Sequence, residues 1–297
     1  MITKTAMITI CGRPNVGKST LTNALVGEKI SIVTAKPQTT RSRITAVVNR
    51  GSTQFVLMDT PGFHKPRTRL GDYMVGVVRQ SVADVDAVVL MVEPVANIGP
   101  QEQALIERIR EAHTPAVLAV NKIDTVPPQA LLEVIAVYAA AYPFQAVVPI
   151  SARTGDGMQL LLDELEKFAS EGPQLFPEDM ISDQPEKQIC AEIVREKLLL
   201  CLDKEIPHGV AVEAERFTER ENGIIDLEVT IYCEKASHKG IIIGKNGAML
   251  RKVGEMARKD VEAFMGTKVC LRTWVKVKEN WRDSQAQLRN FGFVGDK

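Results

Sequence analysis

The sequence predicts an α/β domain, with a mostly parallel sheet and helices on both faces, followed by a smaller α+β domain. Its length of 297 residues is typical of about two domains. Short apolar runs alternate with helical patterns up to about residue 169, and three prolines then interrupt the chain between residues 173 and 185. The boundaries expected from this change are 1–171 for the first domain, 172–185 for a linker, 186–282 for the second domain and 283–297 for a tail.

The first domain is predicted from apolar runs of strand length that are separated by helical patterns. The expected strands are residues 7–11, 44–48, 54–58, 87–92, 116–120 and 146–150. The expected helices are residues 20–25, 73–83, 101–112, 131–140 and 158–169. Strands that alternate with helices in this way favour a parallel sheet, whose ligands bind at the carboxyl ends of the strands.

Composition limits the class of protein. The 37 basic and 37 acidic side chains give a net charge of zero, so overall charge predicts no partner. The five cysteines are far apart and form no C-x-x-C pair, which indicates neither a zinc site nor a disulfide framework and agrees with a reducing cytosol. We expect no signal peptide and no membrane-spanning segment, because the longest apolar stretch is interrupted by Glu133 and ends at Pro143.

Residues 12–19 fit the pattern G-x-x-x-x-G-K-[ST] and lie between a predicted strand and a predicted helix. In this context the backbone can curl so that its N–H groups and the helix N-terminus face phosphate oxygens. Lys18 is then expected to reach the β- and γ-phosphates, and Ser19 to ligate Mg²⁺. A tight packing turn would need neither the lysine nor the hydroxyl.

Two further segments are expected to respond to the γ-phosphate. Asp59-Thr60-Pro61-Gly62 follows a strand, so Asp59 is placed to hold Mg²⁺ and the Gly62 N–H to contact the phosphate. The loop before the hairpin carries Thr39 and Thr40, one of which can complete the magnesium shell. We choose Thr40 and keep Thr39 as the alternative.

Asn121-Lys122-Ile123-Asp124 follows the strand predicted at residues 116–120 and indicates the base that is bound. A carboxylate such as that of Asp124 can accept hydrogen bonds from guanine N1–H and the 2-amino group, whereas adenine offers neither donor there. The pattern therefore favours GTP over ATP. Ser151-Ala152-Arg153 follows the next strand, where the Ala152 N–H could meet guanine O6.

These motifs, in this order, resemble the translation-factor-like GTPases and cover the chain to about residue 169. The resemblance implies a P-loop GTPase fold, catalytic roles for Lys18, Thr40 and Gly62, and Mg²⁺ ligation by Ser19, Thr40 and Asp59. It further implies that the nucleotide is bound by Gly12, Asn15, Val16, Gly17, Lys18, Ser19, Thr20, Asp59, Asn121, Lys122, Asp124, Ser151, Ala152 and Arg153.

One position departs from the Ras-like pattern, because Phe63 stands where those enzymes carry the glutamine that orients water. The chain is thereby similar to GTPases that are slow alone and depend on a partner or a monovalent cation. Asn15 matches the asparagine that helps to hold K⁺ in potassium-activated members, so we expect that K⁺ could stimulate hydrolysis. His64 is interpreted as a solvated loop residue rather than a catalytic base.

The second domain is predicted from a helix at residues 186–202, strands at 210–212, 224–233 and 268–277, and a helix at 248–264. Its charge is partitioned: residues 183–234 carry 13 acidic and 6 basic side chains, and residues 235–282 carry 12 basic and 4 acidic ones. A compact basic segment favours binding of phosphates, of which nucleic acid is the obvious source. Uneven charge sorting on solvated faces is the alternative.

Within the basic segment, Gly244-Lys245-Asn246-Gly247 lies between a short apolar helix and the helix that follows. This order resembles a K-homology (KH) domain of type II, in which a G-x-x-G loop clamps single-stranded RNA. The resemblance implies RNA binding by Gly244, Lys245, Asn246, Gly247, Lys239, Arg251 and Lys252. Trp274 and Trp281 could stack on bases, but we expect both to anchor the domain, and the tail after residue 280 is left unassigned.

A GTPase domain joined to a type II KH domain resembles the Era-like family of bacterial GTPases across nearly the whole chain. The resemblance implies binding of 16S ribosomal RNA near its 3′ end and a role in 30S subunit maturation, by a monomer in the cytoplasm that could associate peripherally with the inner membrane. The competing hypothesis is an RNA-binding module whose nucleotide site is only structural. Intact Lys18, Ser19, Asp59 and Asp124 argue against it.

Overall fold

The computed structural model describes residues 1–63, 66, 68–82, 85–203 and 206–293. They form two compact units, each with its own sheet and core. The first unit comprises residues 1–31, 37–66 and 71–183, and the second comprises residues 32–36, 67–70 and 184–297. The mostly parallel sheet of the first unit and the separate α+β second unit agree with the predicted fold class.

The strands and helices of the first unit alternate as predicted. The strands are β1 (Lys4–Gly12), β2 (Ile44–Arg50), β3 (Thr53–Asp59), β4 (Ala87–Val92), β5 (Ala116–Val120), β6 (Ala146–Pro149) and β7 (Ser170–Glu171). The helices are α1 (Lys18–Val26), α2 (Arg69–Ser81), α3 (Pro100–Ala112), α4 (Pro128–Ala141) and α5 (Met158–Glu166). Helix α2 begins four residues before the predicted start, and its first two residues, Arg69 and Leu70, are grouped with the second unit.

The sheet of the first unit has the strand order β2-β3-β1-β4-β5-β6, with β7 antiparallel to the start of β1. Strands β3, β1, β4, β5 and β6 are parallel, and β2 pairs antiparallel with β3. The carboxyl ends of the five parallel strands therefore lie along one edge. The predicted nucleotide motifs follow four of these ends, which places them together.

Helices cover both faces of this sheet, so strands β4 and β5 are apolar at every position. In β4, Val89 and Met91 join the core that includes Leu21 of α1, while Val88 and Leu90 join the core on the opposite face. All six β4 residues are buried. Successive side chains of a strand point to opposite faces, and complete burial of each large one contributes roughly 1.5–3 kcal/mol.

Residues 174–182, which the prolines predict to be a connector, are held by hydrogen bonds inside the first unit. The buried Gln54 amide donates to the Phe176 carbonyl at 2.9 Å and accepts from the Leu175 and Phe176 amides at 2.9 Å. The Val47 amide donates to the Ile181 carbonyl at 2.9 Å. This segment therefore runs along the edge of the first unit's sheet.

The second unit is an α+β arrangement around a three-stranded sheet. Its elements are α6 (Glu186–Cys201), β8 (Ala211–Glu219), β9 (Ile225–Cys233), α7 (Ala236–Ile243), α8 (Ala248–Met265), β10 (Val269–Val277) and α9 (Gln285–Asn290). Strand β9 is central, antiparallel to β8 and parallel to β10. Leu227, Val229 and Ile231 of β9 share one buried core with Ile193 of α6 and Val253 of α8.

The tail folds onto the second unit, and the two tryptophans differ from each other. Trp281 is completely buried, donates its indole N–H to the Gly209 carbonyl at 2.9 Å and meets the ring of Phe291 edge to face at 5.2 Å. Trp274 of β10 is 43% exposed. The prediction that both tryptophans anchor the domain is therefore correct for Trp281 and wrong for Trp274. Trp274 lies on the face of β10 that is turned away from the helices.

Candidate functional site

The phosphate loop passes from β1 into α1 and is fixed by Asn121. Gly17 has a φ of 108°, and a Cβ built on it would lie 2.2 Å from the Asn121 amide nitrogen. The Asn121 amide donates to the Val16 carbonyl at 2.8 Å, and its oxygen accepts from the Ala152 amide at 2.9 Å. One side chain thus joins three loops that follow β1, β5 and β6, and only glycine leaves room for it at position 17.

Lys18 is buried at the start of α1. Its ammonium donates to the carbonyls of Gly12 at 3.1 Å and Arg13 at 2.9 Å, within its own loop. Burial lowers the pKa of Lys18, and the carboxylate of Asp59 opposes that change. Burial likewise raises the pKa of Asp59. Both charges lie in a site where electrostatic interactions are strong because water is largely excluded.

Three oxygen-bearing side chains converge beside Lys18. The Ser19 hydroxyl lies 2.9 Å from the Thr40 hydroxyl and donates to Asp59 Oδ2 at 2.8 Å. Ser31 also donates to Asp59 Oδ2, at 3.1 Å. The other oxygen of Asp59 is buried and makes no hydrogen bond with the described residues. Hard oxygen ligands around a buried carboxylate fit Mg²⁺ well.

The loop after β5 and the loop after β6 meet at Asp124. The Ser151 hydroxyl donates to Asp124 Oδ1 at 2.6 Å, and the Arg153 guanidinium pairs with Oδ2. The Ser151 hydrogen bond, together with the nearby Arg153 charge, lowers the pKa of Asp124. The carboxylate is therefore held ionised, which is the form that can accept two hydrogen bonds from a base edge.

Gly62 lies against the phosphate loop. A Cβ built on Gly62 would approach the Pro14 Cα to 2.7 Å, so a larger residue would force the two segments apart. The next amide, that of Phe63, donates to the Gly12 carbonyl at 3.2 Å, and the Phe63 side chain packs partly buried against the apolar core. The prediction for His64 falls outside the described residues.

The remaining residues predicted at this site occupy the same loops. Asn15 is exposed at the tip of the phosphate loop with a φ of 64°, and Thr20 is half-buried in the first turn of α1. Lys122 follows Asn121 with a φ of 65°. Thr39 is half-buried next to Thr40, but it is Thr40 that lies within hydrogen-bond distance of Ser19.

The sequence motifs do not include Ser31 and Glu93. Ser31 contacts Asp59 from the loop after α1, a position that carries no pattern. Glu93 directly follows β4, and it pairs with Arg13 and Lys122. A signal for Glu93 was available, because a carboxylate directly after a buried parallel strand occupies the edge where ligands bind.

In the second unit the G-x-x-G loop connects α7 to α8 by a short 3₁₀ turn. Gly244 has a φ of 74° and a Cβ there would lie 2.7 Å from the Met249 Cβ, whereas Gly247, with a φ of 77°, faces open space. Lys245 and Asn246 are exposed at the tip. Glycine is thus required at the first position for packing and at the second for its backbone conformation alone.

Basic side chains around this loop carry charge that is not neutralised locally. Lys245, Arg251 and Lys252 are exposed, Lys239 is half-buried, and none of them forms an ion pair with the described residues. By contrast, basic residues of the sheet are paired, such as Arg272 with Glu228 and Lys276 with Glu215. The positive charge that is available to a polyanion therefore concentrates at the loop and α8.

Within the described residues, the helices include none with the length and apolar character that a membrane crossing requires. The five cysteines are free thiols. Burial raises the pKa of Cys11 and Cys190 to about 12, so neither is a reactive thiolate at neutral pH.

Two family models match the chain. Residues 7–122 match the family described as 50S ribosome-binding GTPase, and residues 205–282 match the KH domain. These ranges contain the phosphate loop, the Asp59 motif and the first two residues of the Asn121 motif in the first unit, and the Gly244 loop in the second. The matches agree with the two site descriptions above.

Relatives resemble the chain over its full length. The sequence is 48% identical to GTPase Era of Ruminiclostridium cellulolyticum over 294 residues, with 99% of each chain covered. It is 49% identical to GTPase Era of Alkaliphilus metalliredigens over 291 residues, covering 98% of this chain and 99% of the relative. Such identity over both units excludes a chance combination of two common domains.

Solved structures agree with the sequence relatives. A crystal structure of Era in complex with MgGDPNP and nucleotides 1506–1542 of 16S ribosomal RNA matches with a TM-score of 0.94 at 35% identity, covering 98% of this chain and 99% of that one. An Aquifex aeolicus Era variant bound to GDP and aluminium fluoride matches equally well, with the same TM-score, identity and coverage. From the two units, their loops and these likenesses, the chain belongs to the Era family of GTPases.

Proposed function

We propose that this protein is a GTP-hydrolysing switch that binds 16S ribosomal RNA near its 3′ end and acts in maturation of the 30S subunit. The observation that carries the proposal is the convergence of Ser19, Thr40 and Asp59 beside Lys18, with Asp59 Oδ1 buried and without a hydrogen bond among the described residues. The same edge of the sheet holds Asp124 in its ionised form. We place the active protein in the cytoplasm as a monomer.

The nucleotide site assigns one task to each loop. Residues 12–20 cradle the phosphates through backbone N–H groups, and Ser19, Thr40 and Asp59 are the residues that would hold Mg²⁺. Asp124 accepts from guanine, and Asn121 keeps its loop against the phosphate loop. The Ala152 N–H donates to Asn121 Oδ1 in this structure, so it would have to exchange that partner to meet guanine O6. A wrong base would leave the hydrogen-bonding groups of this site unpaired, and such a loss can reduce binding by ~10⁴-fold, which accounts for a preference for GTP.

Hydrolysis requires in-line attack of water on the γ-phosphorus, with cleavage of the bond to the β–γ bridging oxygen, so that GDP and phosphate leave. Lys18 stabilises the negative charge that develops on the phosphate oxygens, and the Gly62 N–H donates to the γ-phosphate. Bound Mg²⁺ supplies further charge neutralisation. Phe63 cannot orient water, so hydrolysis is expected to be slow without a further group.

Potassium is the proposed source of part of the missing stabilisation. Asn15 is exposed in the phosphate loop, with a left-handed backbone. A monovalent cation held there would add positive charge near the β- and γ-phosphates. The test is the hydrolysis rate in potassium and in sodium buffers at equal ionic strength; equal rates would reject this part of the proposal.

RNA binding belongs to the second unit. The G-x-x-G loop lets a nucleic-acid backbone approach closely, and Lys245 with Arg251 and Lys252 attracts its phosphates. Ile242 is buried and packs the domain, so it is not offered as a base reader. The Era structure with 16S ribosomal RNA supports this assignment, because it matches this chain across both units.

Coupling of the two activities is proposed as a population shift between nucleotide states. The second unit includes residues 32–36, where the Val33 amide donates to Glu196 Oε1 of α6 at 2.9 Å and the Lys36 ammonium contacts the Leu202 carbonyl. Thr40 follows Lys36 by four residues. Ordering Thr40 around GTP therefore constrains a segment that α6 holds, and hydrolysis releases the constraint.

The experiment that tests the function is binding of a 16S 3′-terminal RNA fragment with GDP or a non-hydrolysable GTP analogue, at two salt concentrations. Tighter binding with the analogue is expected. Gly247→Asp places a negative charge in open space at the loop and should abolish binding; its φ of 77° is one that aspartate tolerates better than most residues. Gly244→Asp also clashes with Met249. Equal RNA affinity with GDP and with the analogue would indicate an RNA-binding protein that the nucleotide does not regulate.

A further inference from the structure

Glu93 connects two loops that bind different parts of the nucleotide. It follows β4, and its carboxylate pairs with the Arg13 guanidinium at 3.1 Å and with the Lys122 ammonium. Arg13 belongs to the phosphate loop, and its carbonyl accepts from Lys18 at 2.9 Å. Lys122 belongs to the loop that positions Asp124. One carboxylate therefore bridges the loops after β1 and β5.

Glu102 of α3 holds Arg13 from the opposite side. Its carboxylate is 2% exposed and pairs with the Arg13 Nε, while its second oxygen is buried without a hydrogen bond to the described residues. A Cβ built on Gly99, at the start of α3, would lie only 2.9 Å from that second oxygen of Glu102. The guanidinium of Arg13 is thus fixed between two carboxylates in a fork that lysine could not fill.

This network differs from ordinary surface ion pairs. The side chains of Arg13, Lys122 and Glu93 are each only about one-third exposed. Other pairs of the same unit are more open, such as Arg108 with Glu111, whose side chains are 40% and 70% exposed. Partly buried charges that share a partner are coupled more strongly than exposed ones, because water and salt screen them less.

Resting on the proposed function, we infer that Glu93 is a positioning residue for guanine-nucleotide binding. Its ion pairs with Arg13 and Lys122 connect the phosphate loop to the loop that carries Asp124. Neither loop can then open alone, and the nucleotide leaves only when both loops move. Glu102 holds Arg13, the residue through which Glu93 contacts the phosphate loop. The expected consequence of losing Glu93 is faster release of nucleotide, with little effect on the chemical step.

The test is the dissociation rate of a fluorescent GDP from Glu93→Gln, with Glu111→Gln as the matched control on the surface of the same unit. We expect release from Glu93→Gln to be about tenfold faster, since a charge-assisted pair in two loops is replaced by neutral contacts. The control should release GDP at the wild-type rate. Equal rates for Glu93→Gln and wild type would overturn the inference.

Two further measurements separate positioning from general damage. Single-turnover hydrolysis of pre-bound GTP should stay within about twofold of wild type in Glu93→Gln, because the variant leaves Lys18, Thr40 and Gly62 in place. In a double-mutant cycle, Arg13→Gln should accelerate release less in the Glu93→Gln background than in wild type, and the effect that remains there reflects the lost pair with Glu102. Additive effects, or equal loss of hydrolysis and binding, would overturn the role of Glu93.

A Glu93→Asp variant retains the charge and is expected to restore part of the slow release, which guards against a fold defect in Glu93→Gln. Failure of the inference remains distinct from failure of the proposed function. If the wild-type protein does not bind GDP, the function itself is wrong. If it binds GDP tightly and Glu93→Gln releases it at the same rate, only the tie between the loops is wrong.

Discussion

Lys18 combines two properties that conflict unless phosphate is its partner: it is buried, and it carries a charge. Among the described residues, its ammonium donates to backbone carbonyls of its own loop and lies in the field of Asp59. We expect Lys18→Ala to reduce GTP hydrolysis at least about 10²-fold, the usual cost of losing a transition-state donor. Single-turnover assays measure this, with Lys167→Ala, an exposed lysine on the same unit, as the control. Retained hydrolysis would favour a nucleotide site that is only structural.

Ser151 influences the ionisation of Asp124, the residue proposed to bind guanine. Its hydroxyl lowers the pKa of that carboxyl, so the ionised form persists as the pH falls below the ordinary range for aspartate. For a carboxyl with a lowered pKa, the stabilisation of the ionised form is complete at pH values above the ordinary aspartate pKa. It is lost as the pH falls through the lowered pKa. In Ser151→Ala the pKa rises, and GDP affinity should begin to fall at a higher pH.

The measurement for Ser151→Ala is the GDP dissociation constant from pH 7 down to the acid limit of the folded protein. Thr154→Ala serves as the control, because the Thr154 hydroxyl bonds to Asp156 and not to Asp124. Superimposable pH profiles for Ser151→Ala and wild type would contradict this role of the hydroxyl.

At the scale of one element, the G-x-x-G loop and the start of α8 concentrate positive charge that forms no ion pair with the described residues. We expect Lys245→Ala to weaken binding of the RNA fragment and to lower the slope of log K against log salt by about 0.7, the value for one phosphate contact on a single strand. Lys268→Ala removes an equally positive residue that pairs with Glu262. It should leave both quantities unchanged; an identical loss in the two variants would indicate bulk charge instead of a local clamp.

The tail is an element whose role is stability. Trp281 is fully buried, and its indole is hydrogen-bonded and in contact with Phe291. Trp281→Ala should destabilise the second unit by about 3–5 kcal/mol, the range for loss of a large buried aromatic side chain. Trp274→Ala, at an exposed site, should cost far less. Urea unfolding measures both, and a mild effect of Trp281→Ala would contradict a structural tail.

At the scale of the whole molecule, the proposed switch depends on residues 32–36, which are assigned to the second unit. Lys36→Ala removes the contact of its ammonium with the Leu202 carbonyl. RNA affinity should then differ less between GDP and the GTP analogue, although GDP binding itself is retained. Titrations with both nucleotides measure the ratio of affinities, with Lys4→Ala, exposed on the first unit, as control. An unchanged ratio in Lys36→Ala would mean that coupling takes another route.

Much of this molecule was predictable because its information is local. The phosphate loop, the Asp59 motif and the Asn121 motif each follow a strand, and strand ends of a parallel sheet share one edge, so order in sequence predicted nearness in space. The G-x-x-G loop was predictable for a similar reason, since its helices and glycines are contiguous. The boundaries 1–171, 172–185, 186–282 and 283–297 and the individual ligand roles stay predictions.

What the sequence by itself determined was the class of fold, the order of the elements and the residues of the nucleotide motifs, because periodicity and loop chemistry are set by neighbours along the chain. Only the tertiary structure decided that Glu93 pairs with Arg13 and Lys122, that Gln54 holds the segment at Phe176, and that Trp281 is buried while Trp274 is exposed. Each of these depends on partners between 29 and 122 positions away in sequence, or on which face of a strand meets a helix. No local pattern specifies such contacts.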